Sequence, residues 1–168
     1  VPVQVSGSPS RPVQVNLVVS GTATGGQDYR ISYPADGLLE IPVGQMAAAV
    51  RLQVLDDALD ENTETIILTL KDSLNAGIDA PSVHTIEIQD DDEPPAVYFT
   101  TGSTTAGEAD GVVQLVVQLS APSGRQVTVP VVTGGTAIRG SSADYTLVPG
   151  GGSITFQPGE TQAVLEIH

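Results

Sequence analysis

The chain has no cysteine and no tryptophan, and one methionine among its 168 residues. Without Cys there is no disulfide framework, no thiolate metal site and no Cys nucleophile. Export is not excluded by this, because a domain large enough to bury a core needs no staple. Its two histidines are His84 and His168. Ser-His-Asp chemistry needs a positioned base and an oxyanion site, and no motif supplies them, so catalysis is not expected. Zinc would ask for His or Cys beside the acids, and neither is there. No apolar run reaches the length of about 18 residues that a membrane span requires. The opening stretch "VPVQVSGSPS" has neither a basic n-region nor an apolar h-region, so it does not read as a signal peptide.

Positive charge is scarce as well. Six Lys and Arg face 20 Asp and Glu, for a net charge of -14, and Lys71 is the single lysine. Such a surface repels nucleic acid and anionic membranes and attracts cations. With abundant Thr, Gly, Val and Asp, this composition suits a secreted bacterial β-protein, so an extracellular or cell-surface setting is expected.

What the chain does have is period-2 alternation almost throughout. Val13, Val15, Leu17 and Val19 alternate with Gln14, Asn16 and Val18. Val50, Leu52 and Val54, then Ile66, Leu68 and Leu70, then Ile86 and Ile88, then Val113, Leu115, Val117 and Leu119 do the same. Gly, Pro, Ser and Asp bound these runs. "VGQMAAAVRLQVL" holds helix-forming alanines, yet Val50, Leu52 and Val54 keep a strand period. Many short strands with frequent turn signals predict a β-sandwich.

An internal repeat organises the strands. "SRPVQVNLVVSGTA" (Ser10–Ala23) lies over "GRQVTVPVVTGGTA" (Gly124–Ala137) at a shift of 114 residues, and the same shift places Val1 over Leu115. Asp28-Tyr29 then matches Asp144-Tyr145, and "PADGLLEI" matches "PGGGSITF". The join, "QDDDEPPAVYF", is an acidic run followed by Pro94-Pro95, a stiff connection. The expected architecture is all-β, two tandem immunoglobulin-like Greek-key sandwiches spanning 1–92 and 93–168. Each is incomplete at a chain end: the first lacks its first strand and the second its last two. The expected origin is an excerpt from a longer tandem array. Strands supplied by a neighbouring chain are the alternative.

The acids gather at three places in the first copy. Asp28 precedes Tyr29. Asp56, Asp57, Asp60, Glu61 and Glu64 crowd one turn, in "LDDALDENTETIILTL". Asp90, Asp91 and Asp92 follow a strand. In an antiparallel sheet the turn at 56–64 and the run at 90–92 should meet at the same end. Like charges at 4–5 Å cost roughly 3–4 kcal/mol at an effective dielectric near 20. The acids therefore splay into water, protonate, or hold a cation. Calcium, which takes 6–8 oxygen ligands in irregular geometry, fits such a set better than magnesium. An acidic run by itself is more often a solvated face; convergence of three segments tips the balance. "DDALDENTE" lacks EF-hand spacing, and Tyr29 and Tyr145 read as core or corner residues.

"SGTATGGQDY", "IPVGQ", "LDDALDENTETIILTL" and "HTIEIQDDD" in the first copy, with "GEADG", "GTAIRGSSADY" and "ITFQPGETQAVLEI" in the second, resemble the Calx-β domain. This is an immunoglobulin-like sandwich of sodium–calcium exchangers, of an integrin tail and of bacterial surface and adhesive proteins. The resemblance implies Ca2+ at one end of the sandwich, with Asp28, Asp56, Asp57, Glu61, Glu64, Asp90, Asp91 and Asp92 as ligands. Asp60 sits where the family does not usually place one. In the second copy it implies a partial site, Glu108 and Asp144. The expected role is a non-enzymatic structural or adhesive repeat stiffened by calcium. Its partners would be calcium, neighbouring repeats and a protein or carbohydrate surface. The alternatives are a calcium sensor coupled to another domain and a calcium-independent filament or surface subunit.

Overall fold

The computed structural model describes all residues, Val1–His168, and contains no helix. The chain forms two compact units, one of residues 1–57 and 63–89, the other of residues 58–62 and 90–168. The short segment 58–62 thus groups with the second unit although strands of the first flank it.

The first unit holds β1 (Pro2–Gln4), β2 (Val13–Gly21), β3 (Tyr29–Tyr33), β4 (Leu38–Ile41), β5 (Ala47–Ala49), β6 (Arg51–Val54), β7 (Glu64–Leu74) and β8 (Val83–Ile88). One antiparallel sheet has the order β4-β2-β7-β8. The opposing layer is built from β1 on β5 and β3 on β6. Val50 separates β5 from β6, yet it exchanges main-chain hydrogen bonds with Val1, at 2.8 Å in each direction. The alternating residues do what their period requires. Val13, Val15 and Leu17 are 3%, 4% and 8% exposed, while Asn16 and Val18 face outward. Val15, Leu17, Leu39, Val50, Ile66 and Leu68 form the core between the layers. The alanines at 47–49 are strand, as their neighbours' spacing indicated, and not helix.

β7 runs further than its alternation through Leu70 suggests. It extends to Leu74 across an irregularity in its pairing with β2, between Gln14 and Asn16. Asp72 there has φ 50°, a conformation Asp tolerates better than bulky residues. One extra residue on β7 opposite this stretch of β2 makes a β-bulge, past which the pairing resumes at Leu74.

In the second unit lie β9 (Val97–Phe99), β10 (Val113–Leu119), β11 (Val127–Pro130), β12 (Leu147–Val148), β13 (Ser153–Phe156) and β14 (Gln162–Ile167). Here the sheet β12-β14-β10-β9 faces the pair β11-β13, around Val117, Leu119, Leu147, Ile154, Phe156 and Leu165. The repeat read from sequence is present as a repeat of register. Val3 faces Ala48 as Val117 faces Ala163, and Val13 faces Ile41 as Val127 faces Phe156. Two strand edges that carry neighbours in one unit are bare in the other. The outer edge of β1 has no counterpart of β9, and β11 has no counterpart of β7.

Candidate metal centre

Asp28 closes its own turn. Its Oδ2 accepts the main-chain N–H of Thr24, while the N–H groups of Gln27 and Asp28 donate to the Thr24 carbonyl. Its carbonyl accepts the N–H of Leu55 at 2.9 Å, which ties the turn to the start of the β6–β7 connection. A second tie fixes the start of β7. Gly21 ends β2 at φ 125°, and a Cβ there would stand 2.0 Å from the Thr65 carbonyl oxygen. Glycine alone lets β2 approach so closely. Ala23 N–H then donates to that carbonyl at 3.1 Å, and Thr65 N–H donates to Thr22 Oγ1 at 2.9 Å. Glu64 is therefore held by its neighbour's backbone.

These constraints set carboxylates beside one another. Asp28 and Glu64 bring oxygens within 4.8 Å of each other, and Glu61, three residues ahead of Glu64, brings another within the same distance of both. All three residues are half-buried. At that separation each pair of charges costs about 3.5 kcal/mol at an effective dielectric near 20, which a hard cation with oxygen affinity relieves.

The remaining predicted ligands are placed differently. Asp90 is exposed, and its Oδ2 accepts the main-chain N–H of Glu61 at 3.0 Å. The run at 90–92 therefore does meet the acidic loop, as strand order indicated. Asp92 is half-buried. Asp56, Asp57 and Asp91 are exposed and stand outside the group formed by Asp28, Glu61 and Glu64.

Asp60 has a structural part that sequence reasoning did not identify. Within the second unit it is 5% exposed. Ser123 Oγ donates to its carbonyl at 3.1 Å and to its Oδ2 at 2.9 Å. Arg125 Nη1 donates to Oδ1 at 3.0 Å, and Gly124 N–H to the carbonyl at 3.1 Å. A Cβ on Gly124 would come within 2.5 Å of Glu61 Oε1. Ser123, Gly124 and Arg125 thus hold the segment that carries Glu61. The scarcity of basic residues was the one usable signal, since an Arg in so acidic a chain calls for a partner.

In the second unit Asp144 repeats the turn-closing bond of Asp28, its Oδ2 accepting Ile138 N–H at 2.7 Å. Glu108 is exposed. Neither joins a group of three carboxylates whose oxygens lie within 4.8 Å of one another.

Residues 1–92 and 90–168 each match the Calx-beta domain. No curated protein matches the chain. Among the solved structures that resemble it are two with a TM-score of 0.47. One is a crystal structure of CBD12 from CALX1.2, 26% identical, covering 99% of this chain and 65% of that one. The other, of the calcium binding domain CBD12 of CALX1.1, is 24% identical and covers 99% and 66%. The chain spans about two thirds of the length of these structures.

Proposed function

The chain belongs to the Calx-beta family, and on that premise we propose that it is a calcium-binding structural repeat of a large extracellular protein. Calx-beta is a regulatory and structural domain, not a catalytic one. The observation that carries the reading is the convergence of Asp28, Glu61 and Glu64. Their donor set is entirely carboxylate oxygen, which suits Ca2+ and offers zinc no soft ligand. Asp90, whose Oδ2 accepts the backbone N–H of Glu61, adds a carboxylate beside that segment, and the half-buried Asp92 lies two residues further along the chain. Asp56, Asp57 and Asp91 are ligands that would have to turn inward.

Calcium held next to Asp90–Asp92 lies directly before Pro94-Pro95 in the chain. Ordering that segment stiffens the connection between repeats, the role of a spacer or adhesive stalk. The acidic, Cys-free composition supports the extracellular setting.

The test is a thermal melt of the whole chain in chelator and in millimolar calcium. A ligand at 100 times its Kd adds about 2.7 kcal/mol to the folded state, which moves the midpoint by several degrees or more. Superimposable melts in the two buffers would rule the reading out.

A further inference from the structure

We infer that the outward face of β3 and β6 in the first unit binds a carboxylate-bearing saccharide, an oligo-uronate, with Arg30 and Arg51 taking its carboxylates. The inference does not rest on calcium binding. It uses side chains set by the pairing of β3 with β6 alone.

Charge is divided across the first unit. Strands β4, β2, β7 and β8 carry Glu40, Glu64, Asp72 and Glu87, with Lys71 as their one basic residue besides His84. Strands β1, β5, β3 and β6 carry no acid, and two arginines. Acids outnumber Lys and Arg by 20 to 6 in the chain. An acid-free layer holding two of those six runs against the composition.

The two arginines are neighbours. Arg30 stands opposite Gln53, and Tyr33 opposite Arg51. Ile31 and Leu52 pack against the core, so alternation turns Arg30, Arg51 and Gln53 outward. The register shift between Ile31 and Tyr33 sets Tyr33 against Arg51, 40% exposed. Arg30, Arg51 and Gln53 are exposed as well. Arg30 and Arg51 are diagonal across the pair, a relation that separates backbones by roughly 7–8 Å. Their long side chains can therefore reach carboxylates on neighbouring sugar units. Neither guanidinium has a partner: the ion pairs of the chain are Arg125 with Asp60 and His168 with Glu166.

The fold does not require these arginines. In the second copy Thr146 stands at the place of Arg30 and Glu166 at the place of Arg51. There β14 forms the equivalent strand with an acid, whose Oε1 accepts from Gln114 Nε2 at 2.9 Å. An arginine on an edge strand also deters stray pairing, which would account for Arg30. It does not account for Arg51, because β3 covers the edge of β6.

The chemistry of the face selects its occupant. A guanidinium is always charged and its planar fork matches both oxygens of a carboxylate. Tyr33 offers a flat apolar ring with a hydroxyl at its rim, suited to the face of a sugar. The Gln53 amide both donates and accepts, as sugar hydroxyls do. A protein partner wants a large apolar anchor at the centre of its interface, whereas Ala47 and Ala49 are the exposed residues that continue this layer. The net charge of -14 repels anions at long range, but salt screens that repulsion beyond about 8 Å at physiological ionic strength. One charge per sugar keeps the remaining repulsion small, which favours a uronate over a multiply sulfated chain.

The probe is the tetramer of galacturonic acid, titrated calorimetrically into the whole chain in chelator at physiological salt. Chelator keeps the sugar from competing for calcium, so this result and the calcium melts stand apart. We expect binding that the methyl-esterified tetramer lacks. Arg30→Gln and Arg51→Gln should each weaken it about tenfold, and Tyr33→Ala should weaken it too. Lys71→Gln removes the same charge from an exposed residue of the opposing sheet and should leave binding unchanged. Unaltered circular dichroism and melting of the variants would confirm that the fold is intact. Absence of binding at millimolar tetramer overturns the inference. Binding indifferent to both arginine substitutions overturns the face, and equal loss in Lys71→Gln reduces the effect to net charge and overturns it also. Tighter binding of an acidic peptide, residues 88–94 with capped ends, overturns the saccharide as occupant.

Discussion

Asp90 Oδ2 accepts the main-chain N–H of Glu61 at 3.0 Å, so one carboxylate of the terminal acidic run shapes the loop that carries another. Asp90 has two tasks with different demands. Holding the N–H needs only an acceptor, whereas binding a cation needs charge. Asp90→Asn should keep the calcium-free stability within about 1 kcal/mol of the parent's and reduce the calcium-induced shift. Asp90→Ala should lower both. A calcium-induced shift in Asp90→Asn equal to the parent's would show that Asp90 has only the loop to hold.

Glu61→Gln with Glu64→Gln tests the carboxylate group directly. Removing like charges within 4.8 Å relieves repulsion, which solvent screening at half-exposed groups reduces to about 1–2 kcal/mol. The double variant should therefore melt higher than the parent in chelator and lose most of its response to calcium. A lower melting temperature in chelator would contradict the electrostatic account.

Asp56→Asn with Asp57→Asn distinguishes the ligand set seen together from the wider set implied by family resemblance. Both residues are exposed and outside the three-carboxylate group. Loss of the calcium shift, with β-type circular dichroism retained, would show that they turn inward on binding. A shift at least half that of the parent would confine the centre to Asp28, Glu61, Glu64 and the Asp90–Asp92 run.

Asp60→Ala leaves the Ser123 hydroxyl and the Arg125 guanidinium without their carboxylate partner. Arg125 is 47% exposed at its side chain and so recovers part of the loss from water. We expect a cost of about 2–3 kcal/mol, read as a lower urea midpoint at unchanged slope. Arg125→Met should cost less. Asp60→Ala should also weaken calcium binding, because the segment bearing Glu61 loses its anchor.

Gly21→Ala should cost about 2 kcal/mol or more, since φ 125° is unfavourable for alanine and its Cβ would meet the Thr65 carbonyl. The same substitution at Gly7, where nothing lies within 4 Å of the added atom and φ is not in the left-handed region, should leave the urea midpoint nearly unchanged. That pair of measurements separates the close approach of β2 to β7 from a general dislike of side chains at glycine sites.

Much of the fold is determined locally, and so it could be read along the chain. A strand's side chains alternate, so Val13-Val15-Leu17 and Ile66-Leu68 mark their buried face without reference to anything distant. The repeat is likewise a property of the string of residues, and it carries register with it: Val13 opposite Ile41 predicts Val127 opposite Phe156. Meeting of the acidic loop with Asp90 followed from antiparallel order alone. What alternation does not contain is how far a strand continues through a bulge, as β7 does past Leu70 to Leu74.

Only the tertiary structure decided which of the many acids come together. Asp28, Glu61 and Glu64 are separated by dozens of residues or by a turn whose path depends on bonds such as Leu55 N–H to Asp28 and Ser123 to Asp60. Carboxylates are chemically alike in sequence, and distance in space sets their mutual repulsion and their capacity to share an ion. Asp60 makes the same point in reverse. It looks like one more acid in a crowded loop, yet burial and an arginine make it an anchor.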